Sequence, residues 1–208
     1  TRYISVTGVQ TCALPISCSA VVLALEGCAS PLVTKSLEMV GLRAPEGSAE
    51  LAEEAKKAAP QPKKVTLRIH AGEQLNTNAE MRSLSVVLRI YKLRRIEAFS
   101  AATYASFGNA QSEDKAFGAD LVNVREVVLT PGQRHEVVET MPLDAAYLAV
   151  VALFRAPAEE RWRFVFETGP AAKTGVTLGV HGCALSVAEG VPVGAPPESL
   201  RLAGTRCA

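Results

Sequence analysis

LSVVLRIYKL, residues 84–93, sets Leu84, Val86, Leu88 and Ile90 against Ser85, Val87, Arg89 and Tyr91. Successive side chains of a strand point to opposite faces, so this alternation predicts a half-buried strand running to about Leu93. VTLRIHA, residues 65–71, repeats it: Val65, Leu67, Ile69 and Ala71 face one way, Thr66, Arg68 and His70 the other, and Gly72 ends the run. YLAVVALF, residues 147–154, is apolar throughout and too short for a typical helix, which predicts a central strand buried on both faces. Trp162, Phe164 and Phe166 alternate with Arg161, Arg163 and Glu167, and Val176, Leu178 and Val180 with Thr177 and Gly179. Val124 to Thr130 and His135 to Thr140 read as strands flanking a Pro131-Gly132 turn, and Ala184 to Val187 finishes the sheet. Ile96, Phe99, Thr103 and Phe107 recur at helical spacing and predict one short helix, with another helical turn from Gly118 to Leu121. Seven or eight short strands with one or two helices predict a mainly β chain, an antiparallel β-sandwich with a short helical insertion. No repeat of 20–50 residues suggests a solenoid.

Composition narrows the function classes. Among 208 residues, Lys and Arg number 22 and Asp and Glu 21, a net charge of +1, so no basic field points to nucleic acid. Hydrophobic residues make up 48%, which argues against global disorder. No apolar run of about 18 residues predicts a membrane-spanning helix.

The N-terminal region reads differently. Val6 to Ile16, VTGVQTCALPI, matches the in-frame translation of a common sequencing adapter, so residues 1–17 are left out of the fold reasoning. Cys18 to Leu25, CSAVVLAL, reads as the end of an export signal occupying residues 18–27. Leu25-Glu26-Gly27-Cys28 resembles a bacterial lipobox, with Glu26 a departure from its small residues, and makes Cys28 the lipidation candidate. The alternative is a buried core cysteine. Ala29, not Asp, follows it, and the enteric sorting rule then implies the outer membrane. An acyl chain contributes about 0.8 kcal/mol per buried methylene. Residues 28–64 read as anchor and linker, with a short helix over Leu32 to Leu42 and one exposed helical turn expected around Ala49 to Ala59. Pro45, Pro60 and Pro62 punctuate the linker, and about 20 such residues reach roughly 25 Å. The sandwich spans 65–188 and a tail 189–208.

Of five cysteines, Cys12, Cys18 and Cys28 are accounted for, leaving Cys183 and Cys207. In an oxidising compartment such a pair is a disulfide candidate that would staple the tail to the last strand; two unrelated thiols are the alternative. Catalytic patterns are missing. His70, His135 and His181 fall into no metal-ligand spacing such as HExxH, and no GxSxG elbow or phosphate-binding glycine loop is present. Asp114, Asp120 and Asp144 sit in polar loops, and Arg94-Arg95 at a strand end. No cofactor, metal or small-molecule substrate is expected.

With these elements in place, the chain resembles the TssJ family of type VI secretion lipoproteins. The resemblance rests on Leu37-Glu-Met-Val-Gly-Leu42, Leu75-Asn76, Ser85 to Leu93, Phe99, Leu121 after Gly118-Ala119-Asp120, Val128-Leu-Thr-Pro-Gly132, Tyr147 to Arg155 and Trp162-Arg163. It covers about residues 28–187; the tail from Glu189 is less recognisable. The resemblance implies a transthyretin-like sandwich without catalysis, facing the periplasm from the outer membrane. It also implies a membrane complex with TssL in which the C-terminal periplasmic domain of TssM is bound by the loop between the first two strands. Here that loop is Gly72 to Ser83, GEQLNTNAEMRS, and its candidates are Glu73, Gln74, Leu75, Asn76, Thr77, Asn78, Ala79 and Met81. Leu75 and Met81 are expected as exposed apolar anchors, with Asn76 and Asn78 as hydrogen-bonding partners. The competing readings are a transthyretin-like hydrolase, which needs His and Arg clustered in a cleft, and a carbohydrate-binding sandwich, which needs exposed aromatics. With aromatics at 5% and Trp162 expected to face inward, the sequence favours neither.

Overall fold

The computed structural model describes residues 60–207. Cys28, the signal remnant, the helix expected over Leu32 to Leu42 and the linker before Pro60 lie outside the described residues. The strands are β1 (Lys63–Ala71), β2 (Val86–Leu93), β3 (Leu121–Leu129), β4 (Arg134–Met141), β5 (Tyr147–Leu153), β6 (Arg163–Glu167), β7 (Val176–Val180) and β8 (Leu185–Glu189). The helices are α1 (Glu97–Ala101), α2 (Ala110–Phe117) and α3 (Thr168–Thr174). Two four-stranded sheets form, in the orders β4-β1-β7-β8 and β3-β2-β5-β6. The chain is a mainly β sandwich, as the alternating runs predict.

The alternating residues of β1 and β7 meet the core as expected: Val65, Leu67, Ile69, Val176, Leu178 and Val180 are all buried. One pairing departs from the antiparallel expectation. β1 and β7 run parallel, from Leu67 beside Val176 to Ala71 beside Val180. Every other strand pair is antiparallel. β5 lies between β2 and β6, and Leu148 to Ala152 are buried on both faces, which is why that strand carries no polar residue.

The alternation of residues 84–93 is only half right. Leu84 precedes β2 and is partly exposed, while Arg89 and Tyr91, expected outside, are buried. The segment after β2 folds over that outer face. Tyr91 meets the rings of Phe99, Phe107 and Phe117 edge-on, at centroid distances of 5.3, 5.9 and 6.2 Å. Arg89 and Tyr91 then find polar partners under the cover: Arg89 Nη2 lies 2.7 Å from Glu113 Oε2, and Tyr91 OH donates to Glu113 Oε1 at 2.7 Å.

The single helix expected through Phe107 is replaced by three pieces. α1 ends at Ala102, Thr103 is extended, and a 3-10 turn runs from Tyr104 to Ser106. Gly108 takes φ +89°, and Asn109 Oδ1 caps α2 by accepting from Gln111 N and Ser112 N at 2.9 and 3.2 Å. Phe99 and Phe107 still reach the core, because the broken path keeps them on the same side. Arg163 fastens α1 by donating to the carbonyls of Phe99, Ala102 and Ser100 at 2.7–2.9 Å, groups that a helix end leaves open. Its guanidinium also lies 4.5 Å from the ring centroid of Trp162, which is itself buried. Burial pushes the Tyr104 hydroxyl up to about 12, and it donates to Phe154 O at 2.5 Å.

The sheets are tied at their edges. Glu139 of β4, almost fully buried, binds Lys92 of β2 at 2.8 Å and Arg125 of β3 at 3.1 Å. The tail returns along β6: Val193 N donates to Val165 O at 2.7 Å and Pro192 bridges Phe166, which covers an otherwise open edge. Cys183 and Cys207 are bonded, with Cα atoms 5.5 Å apart and a sequence separation of 24. Replacing both with Ser is expected to lower stability by about 3 kcal/mol through the freed denatured chain, read as a lower urea midpoint.

Candidate functional site

The β1–β2 connection, residues 72–85, holds every candidate of the expected contact loop. Its base is fixed by backbone hydrogen bonds. Gly72 N donates to Val180 O at 2.8 Å, and Gly132 N donates to Gly72 O at 3.2 Å. Gly132 takes φ +72°, a left-handed conformation that favours glycine, and Glu73 Oε1 lies 2.7 Å from where a Cβ would stand.

The structure divides the candidates into two groups. Leu75 is fully buried among the core residues, so its expected role as an exposed anchor is overturned. The reason is register: Leu75 O accepts from Leu84 N at 2.8 Å, and the chain at that point tucks between the sheets. Asn76 is also buried, with φ +44°. Its side chain bridges two strand ends, Nδ2 donating to Ser85 O at 2.7 Å and Oδ1 accepting from Arg155 N at 2.8 Å. Asn tolerates the left-handed region better than most residues, and here its amide is committed inside the protein. Asn76 N and Thr77 N donate to His181 O and Gly182 O at 3.1 and 3.0 Å, docking the loop on the β7–β8 connection.

The remaining candidates face outward. Asn78 closes a tight turn: its N–H donates to Arg82 O at 3.1 Å, its Oδ1 accepts from Arg82 N at 2.8 Å, and its O accepts from Met81 N at 3.0 Å. Met81, at φ +57°, is held out on this turn with 68% of its surface exposed. Ala79, Glu80 and Arg82 are exposed beside it, and Glu73 and Gln74 are exposed at the base. Ser83 Oγ donates to Glu73 O at 2.6 Å and steadies the return. The tip is thus an apolar side chain with a polar rim on a backbone already fixed.

Thr77, Asn78, Ala79 and Met81 line an open groove of about 600 Å³ together with Arg155, Ala156 and Cys207. Sequence reasoning assigned none of these last three to the contact. Arg155 was visible only as the end of the YLAVVALFR stretch, and Cys207 only as a disulfide candidate.

The histidines have separate settings. His70 is exposed on β1, whereas His135 alternates inward on β4, its Nε2 buried without a hydrogen-bond partner among the described residues. His181 shares a hydrogen bond of 2.9 Å with Ser186 Oγ, and burial lowers its pKa. No group of three His, Cys, Asp or Glu side chains able to hold a metal occurs among the described residues.

Comparison with known proteins places this geometry in a family. Residues 63–183 match the type VI secretion lipoproteins, the group that includes TssJ, VasD and EvfM. The T6SS lipoprotein TssJ1 from Pseudomonas aeruginosa is 26% identical, with a TM-score of 0.56 over 65% of this chain and 99% of that one. A chain of a type VI membrane complex is 29% identical, with a TM-score of 0.56 over 62% of this chain and 100% of that one. A chain in a structure described as the T6SS protein TssM C-terminal domain from EAEC is 30% identical, with a TM-score of 0.51 over 61% and 98%. Comparison with curated proteins finds no match. The match to residues 63–183 spans both sheets and the loop between β1 and β2, and this chain belongs to the type VI secretion lipoprotein family.

Proposed function

We propose that this lipoprotein anchors the type VI secretion membrane complex to the outer membrane by holding the periplasmic C-terminal domain of TssM, with TssL in the same complex. The observation that carries the reading is the 78–82 turn, which presents Met81 to solvent on a backbone fixed by Asn78 and by the buried Asn76. A preformed loop spends little binding energy on ordering, and an apolar side chain within a polar rim suits a protein contact. Family membership, with the likeness to chains in a type VI membrane complex and in a TssM C-terminal domain structure, supports the partner class. In this reading Cys28 carries the lipid, residues 28–64 are the tether, and residues 65–188 are the binding domain followed by its tail. The lipoprotein contributes contacts rather than chemistry, so we assign no catalytic group. The carbohydrate reading loses its platform because Trp162 is only 7% exposed.

The test is a calorimetric titration of the Cys28→Ser chain, which carries no lipid, with the C-terminal periplasmic domain of the TssM encoded beside it. Saturable one-to-one binding is expected. Met81→Asp should weaken it by about tenfold or more with the melting temperature unchanged, since a charge replaces an exposed apolar contact. Binding that is untouched by Met81→Asp would remove the loop tip from the interface. Substitutions at Leu75 or Asn76 do not test the contact, because both residues hold the fold.

A further inference from the structure

The loop tip, the β7–β8 connection and the C-terminal tail form one packed unit. His181 and Gly182 accept the backbone N–H groups of Asn76 and Thr77, and the next residue, Cys183, holds the tail through Cys207. Gly182 is the meeting point: a Cβ there would lie 3.2 Å from Thr77 Oγ1 and 3.5 Å from Cys207 Sγ. The disulfide therefore fixes the part of the groove that Cys207 lines.

Arg155 lines the same groove. Its backbone N–H is committed to Asn76 Oδ1, so its position is set by the buried bridge. Its side chain is exposed and makes no ion pair or hydrogen bond among the described residues, whereas Arg89, Arg94 and Arg125 all pair with carboxylates. A guanidinium presents paired N–H donors that match a carboxylate. Met81 and Ala156 supply apolar surface in the same groove.

We propose that this groove is the seat for one extended segment of the partner carrying an apolar side chain beside a carboxylate. The apolar group packs on Met81 and Ala156, the carboxylate meets Arg155, and the Cys183–Cys207 disulfide holds in place the part of the groove that Cys207 lines. The proposal rests on the TssM reading above and adds to it the chemistry of the segment and a role for the tail.

The same titration, run at two salt concentrations, tests it. Arg155→Glu is expected to weaken binding by about tenfold or more and to reverse the salt dependence, added salt then relieving a repulsion, while Arg155→Lys keeps the sign of the salt dependence and only part of the affinity. Ala156→Trp, which fills the groove without touching the disulfide, should remove binding. The Cys183→Ser/Cys207→Ser variant, studied below its own melting temperature, should bind more weakly. Hydrogen exchange on the unmodified pair should show the amides of Thr205 to Cys207 protected by the partner, whether or not that variant folds. Wild-type binding that survives Arg155→Glu and Ala156→Trp, or a tail left unprotected, overturns the groove and leaves the TssM reading standing. Absence of wild-type binding overturns both. A concentration-dependent dimer abolished by Ala156→Trp would seat a second copy of this chain in the groove and overturn the proposal as well.

Discussion

Glu113→Ala is expected to cost about 3–5 kcal/mol of stability, read as a fall in urea midpoint at unchanged slope. Glu113 is fully buried, and both of its oxygens are occupied. Oε1 accepts from Tyr91 OH at 2.7 Å and from Gly108 N at 2.8 Å, and Oε2 pairs with Arg89 at 2.7 Å. Burial, with the neighbouring Glu113 charge adding to it, pushes the Tyr91 hydroxyl well above its usual range, so it stays a donor. Truncation leaves Arg89 with Glu126, a half-exposed carboxylate at 2.7 Å, and the Tyr91 hydroxyl at 3.0 Å, and strips Gly108 N of its acceptor. The cost is that of stranding buried polar groups, not the net strength of one ion pair. The combined replacement Arg89→Met, Tyr91→Phe and Glu113→Leu should therefore recover most of the loss, because it removes the polar groups together. A loss below about 1 kcal/mol for Glu113→Ala would mean that water reaches the site.

Leu75→Ala is expected to cost about 2–5 kcal/mol, the range for deleting a fully buried leucine and leaving a cavity. Met81→Ala, six residues on in the same loop, should change stability by less than about 0.5 kcal/mol. The contrast separates the loop into a structural half and a presenting half. If Leu75→Ala left the melting temperature unchanged, Leu75 would not belong to the core. If Met81→Ala unfolded the domain, the exposed turn would be part of the core. Both variants are read by the same melt, so neither result depends on having the partner in hand.

The family, the sandwich and the long loop after β1 were legible in the linear sequence. Runs such as residues 65–71 and 176–180 carry a strict period of two, and an interior facing one side leaves no other arrangement for them. Leu75 could not be read the same way. It stands alone among polar residues in a loop, so nothing in its neighbourhood records which way the chain turns. The helical insertion misled in a related manner: Phe99 and Phe107 keep a helical spacing, yet Gly108 and the Asn109 cap belong to a second helix that starts afresh. Arg89 and Glu113 were invisible as partners because 24 residues and a change of element separate them.

Local periodicity alone determined that the chain is built of short strands, that the middle of β5 is buried on both faces, and that a long loop follows β1. Tertiary structure alone decided that β1 and β7 run parallel, that Arg89 and Tyr91 are covered, that Leu75 points in while Met81 points out, and that Arg155 and Cys207 share a groove with the loop tip. The physical reason is the range of the interactions. Side-chain alternation is set within a few residues by backbone geometry, whereas burial and juxtaposition depend on what packs against a residue from segments far away in the chain.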